Sequence, residues 1–234
     1  MELIRVGELS IELTRRNNQK HTYIRITPPD GAVKASAPIS LTVGEVKSLV
    51  LAKMPEILKA RRKFLSQPRQ TKREYVSGET FYLWGNACKL RIIYGGRGSG
   101  VRRTDRMILL NVPEGTSPQK RRRVLNDWYR AELKRVLPRL ILQCCNRIGV
   151  TINDWNVRNM RTRWGSCNIT RRTILLNLQL VKKPFECLEY VVVHELVHLL
   201  ERKHSHRFRS LVEKYYPQWK KSRELLNSLP LDYA

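Results

Sequence analysis

Residues 191–206 read VVVHELVHLLERKHSH and hold four of the five histidines in the 234-residue chain. In a helix, which turns by about 100° per residue, His194 and His198 lie about 40° apart around the axis and one turn apart along it. Both imidazoles can therefore bind one cation. Glu195 lies on the flank of the same turn, from which its carboxylate can reach a water bound to that cation. The spacing predicts a metal centre with His194 and His198 as ligands and Glu195 as the catalytic base.

The apolar residues around this motif indicate that the predicted helix is buried. They cover nearly its whole circumference and comprise Val191, Val192, Val193, Leu196, Val197, Leu199 and Leu200. Imidazoles and a carboxylate inside a buried helix cost free energy unless they are paired or bound to a metal ion. We therefore favour the metal centre over the alternative, in which the histidines are hydrogen-bonded residues of an ordinary core.

A catalytic zinc site needs a third protein ligand and an open position, and His204 is the favoured third ligand. In a continued helix His204 would point about 240° away from His198 and lie about 9 Å further along the axis. We therefore expect the helix to end between Arg202 and His204, with Ser205 as the N-cap of a following helix. The expected buried face of that helix is Phe208, Leu211 and Val212, and the competing third ligands are His206, Glu201 and Glu213.

Histidine and carboxylate ligands around zinc point to hydrolysis, because this site has no redox chemistry to perform. The favoured function is a zinc-dependent metallopeptidase that hydrolyses peptide bonds through a metal-bound water activated by Glu195. One alternative is a metal-dependent phosphohydrolase of the nucleoside triphosphate pyrophosphatase type. A second alternative is a basic nucleic-acid-binding module with a structural zinc, which would need a fourth protein ligand.

The chain carries 45 Lys and Arg against 20 Asp and Glu, a net charge of +25. The cations form short clusters, which is typical either of a generic basic surface or of one that binds nucleic acid or nucleotides. No apolar run has the roughly 18 residues of a membrane span, and the five cysteines include no CxxC pair. These features predict a cytoplasmic protein that does not enter a membrane.

Hydrophobic periodicity predicts an α+β protein with a β-rich first part and a helix-rich second part. The predicted regions are 1–115, β-rich with one helix over 42–64, and 116–234, the metal-binding catalytic domain with a small β-sheet. The predicted strands are 9–13, 23–27, 32–35 (after a turn over 28–31), 79–94, 107–112, 155–164 and 173–180. The further predicted helices are 119–148 with a kink at Pro138, 184–201, 205–216 and 217–229. The sequence shows no internal repeat, and the glycine run over 95–100 is expected to be a hairpin loop rather than a phosphate cradle.

Several motifs together resemble the YgjP-type metallopeptidase family, which is related to the SprT-like proteases. They are His194-Glu195-Leu196-Val197-His198, Lys203-His204-Ser205 with Phe208, Arg163-Trp164-Gly165-Ser166-Cys167 and Leu175-Leu176-Asn177. The resemblance implies a zincin-like catalytic part in which His194, His198 and His204 bind zinc and Glu195 is catalytic. Lys203 stands where the family has asparagine.

Arg163, Trp164 and Gly165 lie on a strand-like segment and are candidate substrate-binding residues. A peptide can pair with an exposed strand edge, with Gly165 allowing close approach of the backbone and Arg163 holding a carbonyl or an anionic group. In the alternative interpretation this segment is a packing motif, with Trp164 in the core and Arg163 bridging two elements.

Overall fold

The computed structural model describes residues 2–27, 31–65, 73–95, 98–160 and 163–228. The chain divides into two compact units after Thr71. The predicted α+β class, with strands first and helices concentrated later, is confirmed. None of the helices in the described ranges combines the length and apolar character needed to cross a bilayer.

The first unit is a four-stranded sheet with two helices. Its elements are β1 (Glu2–Val6), β2 (Leu9–Arg16), β3 (Tyr23–Thr27), β4 (Ala32–Pro38), α1 (Val43–Ala52) and α2 (Met54–Leu65). The strand order is β1-β2-β4-β3, with β2 and β4 parallel and the outer pairs antiparallel. The single helix predicted over 42–64 divides at Lys53, because Pro55 has no N–H to continue the helical hydrogen bonds and its ring crowds the preceding turn.

The second unit contains two sheets, one long helix and three shorter helices. Its strands are β5 (Thr80–Leu83), β6 (Asn86–Tyr94), β7 (Gly100–Arg103), β8 (Met107–Val112), β9 (Asp154–Arg158), β10 (Gly165–Asn168) and β11 (Thr173–Asn177). Its helices are α3 (Pro118–Ile148), α4 (Phe185–Val197), α5 (His206–Tyr215) and α6 (Trp219–Ser228), with a 3₁₀ turn over Leu178–Lys182. The strand orders are β5-β6-β8-β7 and β10-β11-β9.

The strands β5–β8 belong to the second unit, whereas the sequence places them in a region that ends at residue 115. Their buried face includes Phe81, Leu90 and Leu110, which share one hydrophobic core with Leu125 and Tyr129 of α3. Alternating hydrophobicity identifies the strands but does not show which helix covers them. The compact unit therefore begins earlier in the chain than the predicted boundary.

The first four strands of each unit have the same topology, a repeat that the sequence does not show. In both sheets a hairpin with a two-residue turn is followed by two more strands that pair antiparallel with each other. The second of these pairs parallel with the hairpin's second strand. The helix that follows is capped by Thr42 in one unit and Ser117 in the other, each four residues after a proline. The buried positions match although the residues differ: Ile4, Val6, Ile11 and Leu13 in the first, Phe81, Leu83, Cys88 and Leu90 in the second.

The prediction of a hairpin loop at residues 95–100 is wrong. β8 lies between β6 and β7, so the connection crosses a neighbouring strand instead of closing a hairpin. Gly96 and Arg97 lie outside the described residues. The expected kink does not divide the long helix, because α3 runs as one helix through Pro138.

Asn177, at the end of β11, holds the segment that leads into β10. Its side-chain nitrogen donates to the carbonyl oxygens of Met160 and Arg163 at 2.9 and 2.7 Å, and its side-chain oxygen accepts from the N–H of Gln179 at 3.1 Å. The Asn177 N–H donates to the carbonyl oxygen of Trp164 at 2.9 Å. Asn177 is only 4% exposed, so water cannot replace these bonds.

We predict that Asn177→Ala lowers the free energy of unfolding by about 3 kcal/mol, because it removes the hydrogen bonds of a side chain that is itself buried. The matched control is Asn168→Ala, which removes an exposed side chain that accepts one bond from the Arg171 N–H. We expect the control to cost less than about 1 kcal/mol. Urea unfolding of both variants measures the difference, and equal losses would show that Asn177 does not hold this segment.

Candidate metal centre

The end of α4 positions the first two histidines. His194 lies in the last turn of α4, and His198 is the residue at which the helix stops. The helix ends at Val197, earlier than the exit predicted between Arg202 and His204. The N–H groups of Leu199 and Leu200 donate to the carbonyl oxygens of residues three positions earlier. This tightened turn redirects the chain directly after the second histidine.

His204 returns to the same place from the following segment. Its Nε2 lies 3.0 Å from Nε2 of His194. One ring nitrogen from each of His194, His198 and His204 lies within 4.8 Å of the others. The Ser205 hydroxyl accepts from the N–H of Phe208 at 3.2 Å, which confirms Ser205 as the N-cap of α5.

The three competing residues do not belong to this group of imidazoles. His206 is the exposed first residue of α5. The Glu201 carboxylate accepts from the Lys203 N–H at 3.2 Å. The Glu213 carboxylate accepts from Trp219 Nε1 at 3.4 Å and lies 3.5 Å from Lys220 Nζ. Among the described residues, His204 is therefore the third residue that the structure brings to the histidine pair.

Phe208 packs against all three imidazoles. Its ring centroid lies 4.9 Å from that of His194, 4.6 Å from that of His198 and 4.8 Å from that of His204. Phe208 is itself only 3% exposed. One aromatic ring thus restricts the positions of three potential ligands on its surface.

Burial favours the neutral form of His194 and His198. It lowers the pKa of His194 to about 3, with smaller contributions from His198, His204 and Arg223. Burial also lowers the pKa of His198. His198 Nδ1 lies 3.2 Å from the carbonyl oxygen of Glu201, and a proton on Nδ1 donated to that oxygen leaves Nε2 free. Neutral imidazoles are the form that binds a metal ion.

Glu195 is held against the backbone of β10. The carboxyl group is 6% exposed, and burial raises its pKa to about 8 although the nearby Arg163 charge acts in the opposite direction. A Cβ on Gly165 would lie 2.5 Å from Oε1 of Glu195 and 2.7 Å from Cγ. Only glycine at position 165 therefore allows the strand to approach this carboxyl group so closely.

A cleft of about 700 Å³ opens beside the histidines and Glu195. The predicted substrate-binding residues Arg163, Trp164 and Gly165 all line it. Arg163 is exposed, whereas Trp164 is half-buried and also packs against the core. The segment lines the cleft, and Trp164 also makes the core contact of the alternative interpretation.

The sequence interpretation missed two other residues of the cleft wall, Tyr190 and Arg223. The Tyr190 ring lies edge-on to His194, with centroids 5.8 Å apart, and burial raises the pKa of its hydroxyl group. Tyr190 precedes His194 by one helical turn, so helical spacing could have identified it. Arg223 lies on α6, and no local pattern links α6 to the histidine motif.

Comparison with solved structures finds similarity to the metallopeptidase zymogen of Pyrococcus abyssi abylysin. The identity is 22% over 38% of this chain and 88% of that chain, with a TM-score of 0.35. No curated protein matches the sequence.

The family comparison covers most of the chain. The model of the YgjP-like metallopeptidase domain matches residues 20–229. This range includes the three histidines, Glu195 and every residue that lines the cleft. The chain belongs to the YgjP-like metallopeptidase family.

Proposed function

We propose that this protein is a zinc-dependent metallopeptidase in which His194, His198 and His204 bind the metal and Glu195 is the catalytic base. The observation that carries this proposal is the convergence of three imidazole nitrogens within 4.8 Å, beside a buried carboxyl group at the wall of an open cleft. Hydrolysis of a peptide bond is the reaction that these groups support best.

The donor set fits zinc. Zinc accepts imidazole nitrogen at about 2.0–2.1 Å in tetrahedral geometry, which separates two ligand nitrogens by about 3.3 Å. The Nε2 atoms of His194 and His204 lie 3.0 Å apart, close to this separation. The three ring nitrogens lie within 4.8 Å of one another, so zinc binding would draw the more distant nitrogen inward. Three protein ligands leave a fourth position open, as in catalytic zinc sites. A bound zinc ion supplies a Lewis acid that acidifies water and polarises a carbonyl group.

Glu195 is suited to move a proton between water and the leaving group. Burial raises the pKa of its carboxyl group to about 8 in the metal-free protein, so the proton-bearing form is accessible at neutral pH. The charge of a bound zinc ion would favour the carboxylate, which is the form that acts as a base. The carboxylate accepts a proton from the attacking water, and the resulting acid donates that proton to the departing amine. The cycle ends with Glu195 ionised again.

The edge of β10 offers a place for a peptide substrate. β10 pairs with β11 on one side, and in the described part of the sheet its other edge has no strand partner. Gly165, Ser166 and Cys167 of β10 line the cleft. A peptide that extends the sheet would lie beside Glu195, with backbone hydrogen bonds holding it in register.

The cleft favours a peptidase over a phosphohydrolase. Phosphohydrolases commonly hold Mg²⁺ with several carboxylates. Among the described residues that line the cleft, Glu195 is the only one with a carboxyl group.

We predict that His204→Ala abolishes stoichiometric zinc binding, because two imidazoles alone hold zinc weakly. His206→Ala is the matched control, since it removes an exposed histidine two residues away, and it should retain about one zinc per chain. Elemental mass spectrometry of the purified variants measures the metal content. Loss of zinc from His206→Ala with retention in His204→Ala would refute the proposed ligand set.

We predict that Glu195→Gln retains zinc and loses peptidase activity by a factor of about 10²–10⁴, the usual contribution of a general base. The amide keeps the size of the side chain but cannot accept the proton. Cleavage of an unfolded protein substrate, followed on gels, gives the activity of both proteins. Full activity in zinc-loaded Glu195→Gln would exclude Glu195 as the base.

We predict that Gly165→Ala lowers the rate of peptide cleavage by about 100-fold, because a methyl group at this position displaces the Glu195 carboxyl group. Zinc content should not change, since the three atoms nearest to an added Cβ all belong to Glu195. The control is Gly100→Ala, where an added Cβ meets no atom within 4 Å. Equal activity of the two variants would show that the contact between β10 and Glu195 is not needed for cleavage.

A further inference from the structure

The first two turns of α3 carry an arrangement of charge that opposes the helix dipole. Lys120, Arg121, Arg122 and Arg123 follow one another from the third residue of the helix, after the N-cap Ser117 and the first two helical residues, Pro118 and Gln119. The first turn contains no acidic residue. The amino end of a helix is already positive, so cations there destabilise the helix unless an anion lies close to them.

Of these four residues, Arg121 is the buried one. Its exposed fraction is 8%, and its Nε has no hydrogen-bond partner. Its Nη1 donates to the hydroxyl oxygen of Tyr94 at 3.3 Å. No carboxylate of the described residues forms an ion pair with this guanidinium. A buried cation without an anion is costly, and an external anion would remove that cost.

The helical position of Arg121 directs its side chain toward the amino end of α3. Arg121 is the fourth residue of the helix, and long helical side chains point back over the preceding turn. Its partner Tyr94 is the last residue of β6 and is 53% exposed, so the pair reaches the surface. Because the Tyr94 oxygen accepts from Arg121, the hydroxyl proton is free to be donated to a ligand.

We propose that the amino end of α3 binds a phosphate group through the guanidinium of Arg121, the hydroxyl of Tyr94 and the positive end of the helix. Guanidinium groups and helix amino ends both favour phosphate. The residues involved line no part of the cleft beside His194, so this inference does not depend on the peptidase proposal. The phosphate belongs either to a nucleic-acid backbone, which the net charge of +25 favours, or to a free phosphate compound.

The test compares Arg121→Met with Arg139→Met in the full-length protein. Arg139 is an exposed cation on the same helix, so both variants lose one charge and keep an unbranched side chain. Thermal unfolding with added inorganic phosphate detects a free phosphate ligand, because a ligand that binds the folded protein raises Tm. Fluorescence anisotropy with a short labelled duplex DNA over a range of salt concentrations detects a backbone phosphate.

If the phosphate belongs to nucleic acid, Arg121→Met should bind DNA about tenfold more weakly than Arg139→Met. The slope of the logarithm of its DNA affinity against the logarithm of salt concentration should also be smaller than that of the wild type by about one. If the phosphate is free, inorganic phosphate should raise the Tm of the wild type and Arg139→Met but not that of Arg121→Met. Without ligand, Arg121→Met should be at least as stable as the wild type, since it removes a buried unpaired charge.

The proposal fails if Arg121→Met and Arg139→Met behave alike with phosphate and with DNA. Tyr94→Phe provides a second test should Arg121→Met not fold, because it removes only an exposed hydroxyl group. We expect Tyr94→Phe to weaken the same ligand by about threefold or more. Wild-type binding in a folded Tyr94→Phe beside an unfolded Arg121→Met would mean that Arg121 serves only to hold the structure together.

Discussion

The close contact between Gly165 and the Glu195 carboxyl group is the constraint on which the rest of the centre depends. It places an uncovered strand backbone against a carboxyl group that is almost fully buried. The strand keeps this position because Asn177 binds the segment that enters it. Glu195 keeps its position because α4 is buried on nearly every side. The polar centre is thus specified by two elements that are themselves part of the hydrophobic core.

His194 and His198 lie at the carboxyl end of α4, where the helix borders the cleft. Burial favours the neutral form of His194 and His198. A tightened turn and the Phe208 ring hold all three imidazoles close together. Desolvation of the two partly buried imidazoles costs free energy in the absence of a bound cation. Metal binding is favoured because the imidazoles already lie close together and do not have to lose protons first.

Local spacing explains which features could be predicted from the sequence. The histidine pair, Glu195, the N-cap Ser205 and the return of His204 each depend on residues within one or two turns of the chain. The domain boundary, the covering of β5–β8 by α3 and the position of Arg223 depend on contacts between distant segments, which periodicity does not record. The early end of α4 was missed because Leu199 and Leu200 continue the apolar pattern beyond the last helical residue.

The shared topology of the two units bears on the origin of the chain. Tandem duplication of a single ancestral segment, four strands and a helix, would produce two sheets with the same strand order and the same helix start. Divergence then left little in common except the alternation of buried positions, which is the minimum that this fold requires. Within its own unit, only the second sheet is followed by α4. In such a duplication, only that copy would have to keep the packing that positions Glu195 and the histidines.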